Sequence, residues 1–175
     1  MVQTSHVLND LVTRVFVAAG VPVAKEPVGL VRQDGKRPDG VTLIPFTSGM
    51  SLTWDVTVVC TTEDSYIDLC LQGPGCVAEM AASRKEAKYA TLHSHYNFQP
   101  IAVETLGPVN ESANSFLYDL GRRILFVSVE DREPQFLFQR ISVTTQRFNA
   151  VLLHDDFLLS DHPGLVSAPD FKFLH

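Results

Sequence analysis

Ser51-Leu52-Thr53-Trp54-Asp55-Val56-Thr57-Val58-Val59-Cys60 is the stretch on which the reading of this chain turns. β-Branched and aromatic residues dominate it, and its apolar positions recur with the period of two that marks a strand. Leu52, Trp54, Val56 and Val58 fall on one face, with Thr53, Asp55 and Thr57 on the other. A carboxylate in so apolar a strand is costly if buried without a partner. Asp55 therefore needs water on an exposed sheet face, a cation such as Lys36 or Arg37, or a ligand at a functional site. The strand alone leaves all three open.

Upstream, Arg37-Pro38-Asp39-Gly40 opens a strand spanning Arg37 to Pro45, joined to the first stretch by the polar turn Thr47-Ser48-Gly49. Pro-Asp-Gly is ordinary turn chemistry, so Asp39 by itself says little. A hairpin-type turn at Gln33-Asp34-Gly35-Lys36 follows a short strand in Val21 to Leu30. Ahead of these, Leu8, Leu11, Val12, Val15, Phe16 and Ala19 make one apolar helical stripe, with Thr4 or Ser5 as its cap and Gly20 and Pro22 as its stop. Downstream, a helix is expected from about Val77 to Leu92, a fourth strand from Phe98 to Leu106, a helix capped by Asn110, and a last helix from about Phe136 to Leu153. The order α-β-β-β-α-β-α-α predicts a mixed α/β fold: one small central sheet flanked by helices.

With 175 residues, 45% of them apolar and 19% charged, the chain can bury a core and reads as one domain over 1–157, with a poorly structured tail over 158–175. No apolar run reaches the roughly 20 residues of a membrane span. Three cysteines without a CxxC pair argue against a disulfide framework or a zinc cluster and fit a reducing, intracellular setting. The net charge of −6 argues against non-specific coating of nucleic acid, while leaving room for contact through a local basic patch.

The second helix adds cations. Ala78, Ala81, Ala82, Tyr89 and Leu92 share a stripe, and Lys85 falls inside it. Such a lysine either lays its stem along apolar surface or points at the pocket that holds Asp55, and Lys88 lies one turn further on. Two carboxylates and a lysine suit a hard cation, Mg²⁺ or Mn²⁺, acting on a phosphodiester.

A longer pattern joins these pieces. Lys25-Glu26-Pro27, Gly29-Leu30, Asp34-Gly35-Lys36-Arg37-Pro38-Asp39-Gly40 and Trp54-Asp55-Val56-Thr57-Val58-Val59 occur in order, followed by Arg84-Lys85-Glu86-Ala87-Lys88-Tyr89, Glu104-Thr105-Leu106-Gly107-Pro108 and Gln139-Arg140-Ile141-Ser142. Together they resemble the restriction-like endonuclease segment that follows the reverse transcriptase in certain non-LTR retrotransposons, a branch of the PD-(D/E)xK nucleases. The similarity runs from about His6 to Asp156. It implies a restriction-endonuclease-like fold that nicks double-stranded target DNA with Mg²⁺ or Mn²⁺, in association with reverse transcriptase or element RNA, inside the nucleus. Residue by residue, it implies Asp39 and Asp55 as metal ligands, Lys85 and Lys88 as the lysines of a Lys-x-x-Lys-Tyr motif, and Glu26 as an auxiliary acid. Lys36, Arg37 and Arg84 are the expected DNA contacts. One residue departs from the pattern, Thr57, which stands where the superfamily carries a strand lysine; His6 lies near where related elements end a zinc knuckle, but the knuckle's cysteines are absent upstream of it and no zinc is expected. The competing expectation is the same fold without cleavage, kept as a nucleic-acid-binding or interaction module.

Overall fold

The alternation in 51–59 is realised as the nine-residue strand β3 (Ser51–Val59), with Leu52, Trp54, Val56 and Val58 buried. The structure is a computed structural model, and residues 2–30, 35–62, 66–92, 94–128 and 132–160 are described. Around β3 the order is α1 (Val2–Ala18), β1 (Val23–Lys25), β2 (Gly40–Thr42), β3, α2 (Ile67–Cys70), α3 (Cys76–Tyr89), β4 (Tyr96–Glu104), α4 (Glu111–Ser128) and α5 (Glu133–Ser160). The sheet order is β1-β2-β3-β4, antiparallel except for the parallel pair β3/β4. The class is mixed α/β, as the order of elements predicts. Among the described residues no helix is long and apolar enough to cross a membrane.

Two layers cover the sheet. Leu52, Trp54, Val56 and Val58 pack with Leu8, Val12, Val15 and Phe16 of α1, Leu117 and Leu120 of α4, and Leu137 and Ile141 of α5. Trp54 stacks on Phe16 at 4.6 Å between ring centroids and is the largest fully buried side chain. On the opposite face, Ala78, Ala81 and Ala82 of α3 lie against Ala102 of β4. Small side chains on both surfaces bring α3 close to the sheet. That closeness brings side chains of α3 within reach of the polar face of β3.

Several boundaries differ from the sequence expectation. Helix α1 begins at Val2, so Thr4 and Ser5 lie inside it and do not cap it. The strand expected in Val21 to Leu30 shrinks to Val23–Lys25, because Glu26 adopts φ 46 and Val28–Leu30 forms a 3₁₀ turn. The strand expected over Arg37 to Pro45 is only Gly40–Thr42, since Pro38 has no N–H to donate to a ladder. The turn at Thr47-Ser48-Gly49 forms as expected: Thr47 bridges Met50, and Ser48 and Gly49 both have positive φ, the two-residue hairpin geometry. Gln33 and Asp34 of the other expected turn lie outside the described residues, as do residues 161–175 of the tail, while α5 continues through Ser160.

Gly40 has a reason beyond turn chemistry. A Cβ there would stand 2.1 Å from the buried Trp54 ring, so only glycine lets β2 pair at Trp54.

Candidate active site

Strand β2 is short and leaves the second half of β3 without a neighbour on that side. Side chains take the place of the missing strand. Asp39 donates its N–H to the Trp54 carbonyl (2.9 Å), and its Oδ2 accepts the Val56 N–H (2.7 Å). The Val58 N–H goes to Ser5 Oγ of α1 (3.2 Å). Asp39 is thus bonded to both chain neighbours of Asp55, which sets the two carboxylates at one place. They line an open cleft of about 310 Å³ together with Ser5, His6, Lys36, Arg37, Val56, Thr57, Lys85 and Lys88.

Asp55 is only 4% exposed, and α3 supplies its partners. Lys85 Nζ donates to Oδ1 (2.6 Å), and the Tyr89 hydroxyl lies 2.7 Å from Oδ2. Lys88 Nζ stands 4.0 Å from Oδ2 and donates to the Tyr89 hydroxyl (2.8 Å). The single Tyr89 proton has two acceptors, Asp55 Oδ2 and the Arg37 carbonyl at 2.8 Å. The lysines at Asp55 thus come from α3, and Arg37 is paired with Glu26.

Asp39 is set differently. Burial pushes its carboxyl up to about 6, the neighbouring Asp55 carboxylate adds to that, and the Val56 N–H, Lys85 and His6 oppose it. Its Oδ1 makes no hydrogen bond to a described residue. An available carboxylate oxygen beside a second carboxylate is a hard, anionic donor set. It fits Mg²⁺ or Mn²⁺, which take one or two protein carboxylates and complete their shell with water and phosphate oxygens.

The remaining expected residues are distributed as follows. Thr57 lines the cleft, and the cation at Asp55 comes from α3 in place of a strand lysine. Glu26 does not line the cleft. It forms an ion pair with Arg37, and its N–H donates to the Asp39 carbonyl (2.9 Å). Arg84 lies outside the cleft and donates to the Tyr66 hydroxyl at 3.4 Å. Among the later arginines, Arg123 stacks on Phe46 and Arg140 donates to the Phe136 carbonyl. Arg147 lines a different, larger cleft of about 420 Å³ between α1 and α5, whose other lining residues are Val7, Thr144, Phe148, Ala150 and Val151. That second cleft has no carboxylate among its described lining residues.

Three contributors take roles that the sequence pattern does not assign. Tyr89 stands on the apolar stripe and closes the Lys-x-x-Lys-Tyr motif, and its hydroxyl, on a fully buried ring, finds its partner in Asp55. Ser5, a cap candidate by pattern, bonds the edge of β3 instead. Asn9 is buried within the stripe of α1, where its Oδ1 accepts the Trp54 indole N–H (2.9 Å) and its Nδ2 donates to the Asp39 carbonyl (3.4 Å). An Asn between Leu8 and Leu11 was the signal that could have found it. No model of a known protein family matches the chain, and no curated protein matches it.

Proposed function

We propose that the chain is a metal-dependent DNA endonuclease domain of retrotransposon origin, restriction-endonuclease-like in fold, that nicks a double-stranded target by hydrolysing a phosphodiester bond. The observation that carries this reading is the sharing of one cleft by Asp39, Asp55, Lys85 and Lys88. Asp39 and Asp55 would hold Mg²⁺ or Mn²⁺, which would supply Lewis acidity for activating water and offsetting phosphate charge. The chain's own groups position the substrate. Lys85 and Lys88 are near enough to Asp55 to place positive charge at the scissile phosphate. Lys36 and Arg37 hold the backbone at the mouth of the cleft, with Glu26 steadying Arg37 through their ion pair. Arg84, next to Lys85 in the chain but outside the cleft, reaches a more distant phosphate. Association with a reverse transcriptase or element RNA, and a nuclear location, belong to the same reading and rest on the resemblance alone.

One observation favours a second reading. Both oxygens of Asp55 are already engaged by α3, and Thr57 stands at the strand-lysine position. On that reading the same fold binds nucleic acid or a protein without cutting.

Nicking of supercoiled plasmid separates the two. Purified chain with Mg²⁺ or Mn²⁺ should convert supercoiled DNA to the open circle. EDTA should stop it, and Asp39→Ala and Asp55→Ala should each lower the rate by at least about a hundredfold. A folded, metal-replete protein that binds DNA yet leaves it intact would establish the second reading.

A further inference from the structure

The first turns of α1 address the cleft with three polar side chains, and two of them are committed. Ser5 Oγ accepts the Val58 N–H, and Asn9 bonds both the Trp54 indole and the Asp39 carbonyl. Ser5 and Asn9 are four residues apart, so they stand one above the other on the face of α1 that meets the sheet. His6 lies beside Ser5 and three residues before Asn9, and the two pins fix its place at the rim. It is exposed, it lines the cleft with both carboxylates, and it makes no hydrogen bond or ion pair to a described residue. Its neighbours contrast with it: Lys85 is tied to Asp55, Lys88 to Tyr89, and Arg37 to Glu26. An imidazole carries an N–H donor in either protonation state. The cleft already holds the carboxylates of Asp39 and Asp55, and His6 acts on Asp39 through space without a hydrogen bond to it; its exposed N–H, beside Lys36, Arg37, Lys85 and Lys88, complements an anionic oxygen entering from solvent.

We propose that His6 is a substrate-contacting residue, donating a hydrogen bond to a non-bridging oxygen of a DNA backbone phosphate in this cleft. The assignment rests on the nucleic-acid reading given above. It separates two jobs within one helical turn: Ser5 and Asn9 hold α1 against β3 and Asp39, and His6 meets the ligand.

The test is fluorescence anisotropy of a short labelled duplex titrated with the full chain in EDTA, which removes any contribution of metal or cleavage. His6→Ala should weaken binding by about fivefold, the value of one net hydrogen bond. His6→Gln, which retains an N–H donor, should recover most of the loss. Thermal melts of both variants should match the parent, because the side chain is exposed. Where cleavage is measurable, the effect should appear in KM, with kcat little changed. Equal affinity for His6→Ala and the parent would overturn the assignment and leave the nuclease reading standing. Failure of the parent itself to bind DNA, with or without Mg²⁺, would overturn both. A loss that glutamine does not recover would also overturn it, because the contact would then not be a donated hydrogen bond.

Discussion

Asp39 shows how much of a site rests on single residues. Its carboxyl titrates near 6 in the folded protein against 3.8 for an ordinary aspartate, chiefly through burial and then the Asp55 charge. The folded chain therefore keeps this proton to higher pH than the unfolded chain does. Stability falls as pH rises between about 4 and 6 and stays lowered above that, by on the order of 2–3 kcal/mol. Asp39→Asn in metal-free buffer should be the more stable form at pH 7.5, by on the order of 2 kcal/mol, with the gap closing below pH 4. Urea unfolding of both proteins at the two pH values measures this. A variant less stable than the parent at pH 7.5 would mean that the carboxylate's own bonds outweigh its burial. Such a residue is expensive to keep, and a ligand that pairs with the ionised form offsets the cost. The pattern Pro-Asp-Gly made Asp39 visible in the sequence; the raised proton affinity was not visible, because burial and the nearness of Asp55 are products of the fold.

At the scale of elements, the site depends on where α3 starts. Gly75 precedes it without a side-chain cap, and the cap comes from across the sheet. Glu104, at the end of β4 and 4% exposed, accepts the N–H groups of Val77 and Ala78 through Oε1, both at 3.1 Å. A carboxylate there also meets the positive end of the helix dipole. Glu79 of α3 in turn accepts the Glu111 N–H at the start of α4. Asn110 stands at the cap position of that helix, where its carbonyl accepts the Asn114 N–H, while its side-chain oxygen accepts the Ala102 N–H and ties α4 to β4. Glu104→Ala leaves two buried N–H groups without an acceptor and should cost about 2–3 kcal/mol. Glu104→Gln keeps an acceptor, loses the charge, and should cost about 1 kcal/mol. Urea unfolding distinguishes them, and equal losses would refute a capping role for the carboxylate. The helix itself was legible from its Ala, Glu and Lys content, and β3 from its alternation. The apolar pattern around β2 is longer than the strand it forms, and α2 leaves no trace in the pattern, because a four-residue helix has no period to detect.

The whole molecule is acidic, with 20 Asp and Glu against 14 Lys and Arg, yet its cleft collects Lys36, Arg37, Lys85 and Lys88 around two aspartates. Few phosphates can be neutralised by so small a patch. Binding to duplex DNA should therefore show a shallow salt dependence, with a slope of log K against log salt of about −2 to −4. An anisotropy series over salt concentration reads it directly. A steeper slope would mean that arginines outside the cleft, such as Arg122 or Arg147, join the contact. Solvated helix faces are the cheaper reading of those arginines, and Arg123, Arg140 and Arg147 are found away from the cleft. The division between what the chain's order determines and what its folding decides follows the range of the interactions. Periodicity is local, so the sequence by itself determined the strand 51–59, its two faces, the helices α1, α3, α4 and α5, and the mixed α/β class. Only the tertiary structure decided that Asp55 is held by Lys85 and Tyr89, 30 and 34 positions away, and that Asp39 bonds Val56, 17 positions away. Only it decided that Ser5, His6 and Asn9 of α1 meet them at the same edge. Pairings between distant residues depend on how closely α3 and α1 pack on the sheet, and that closeness is set by alanines and by a buried tryptophan whose neighbours are not adjacent in the chain.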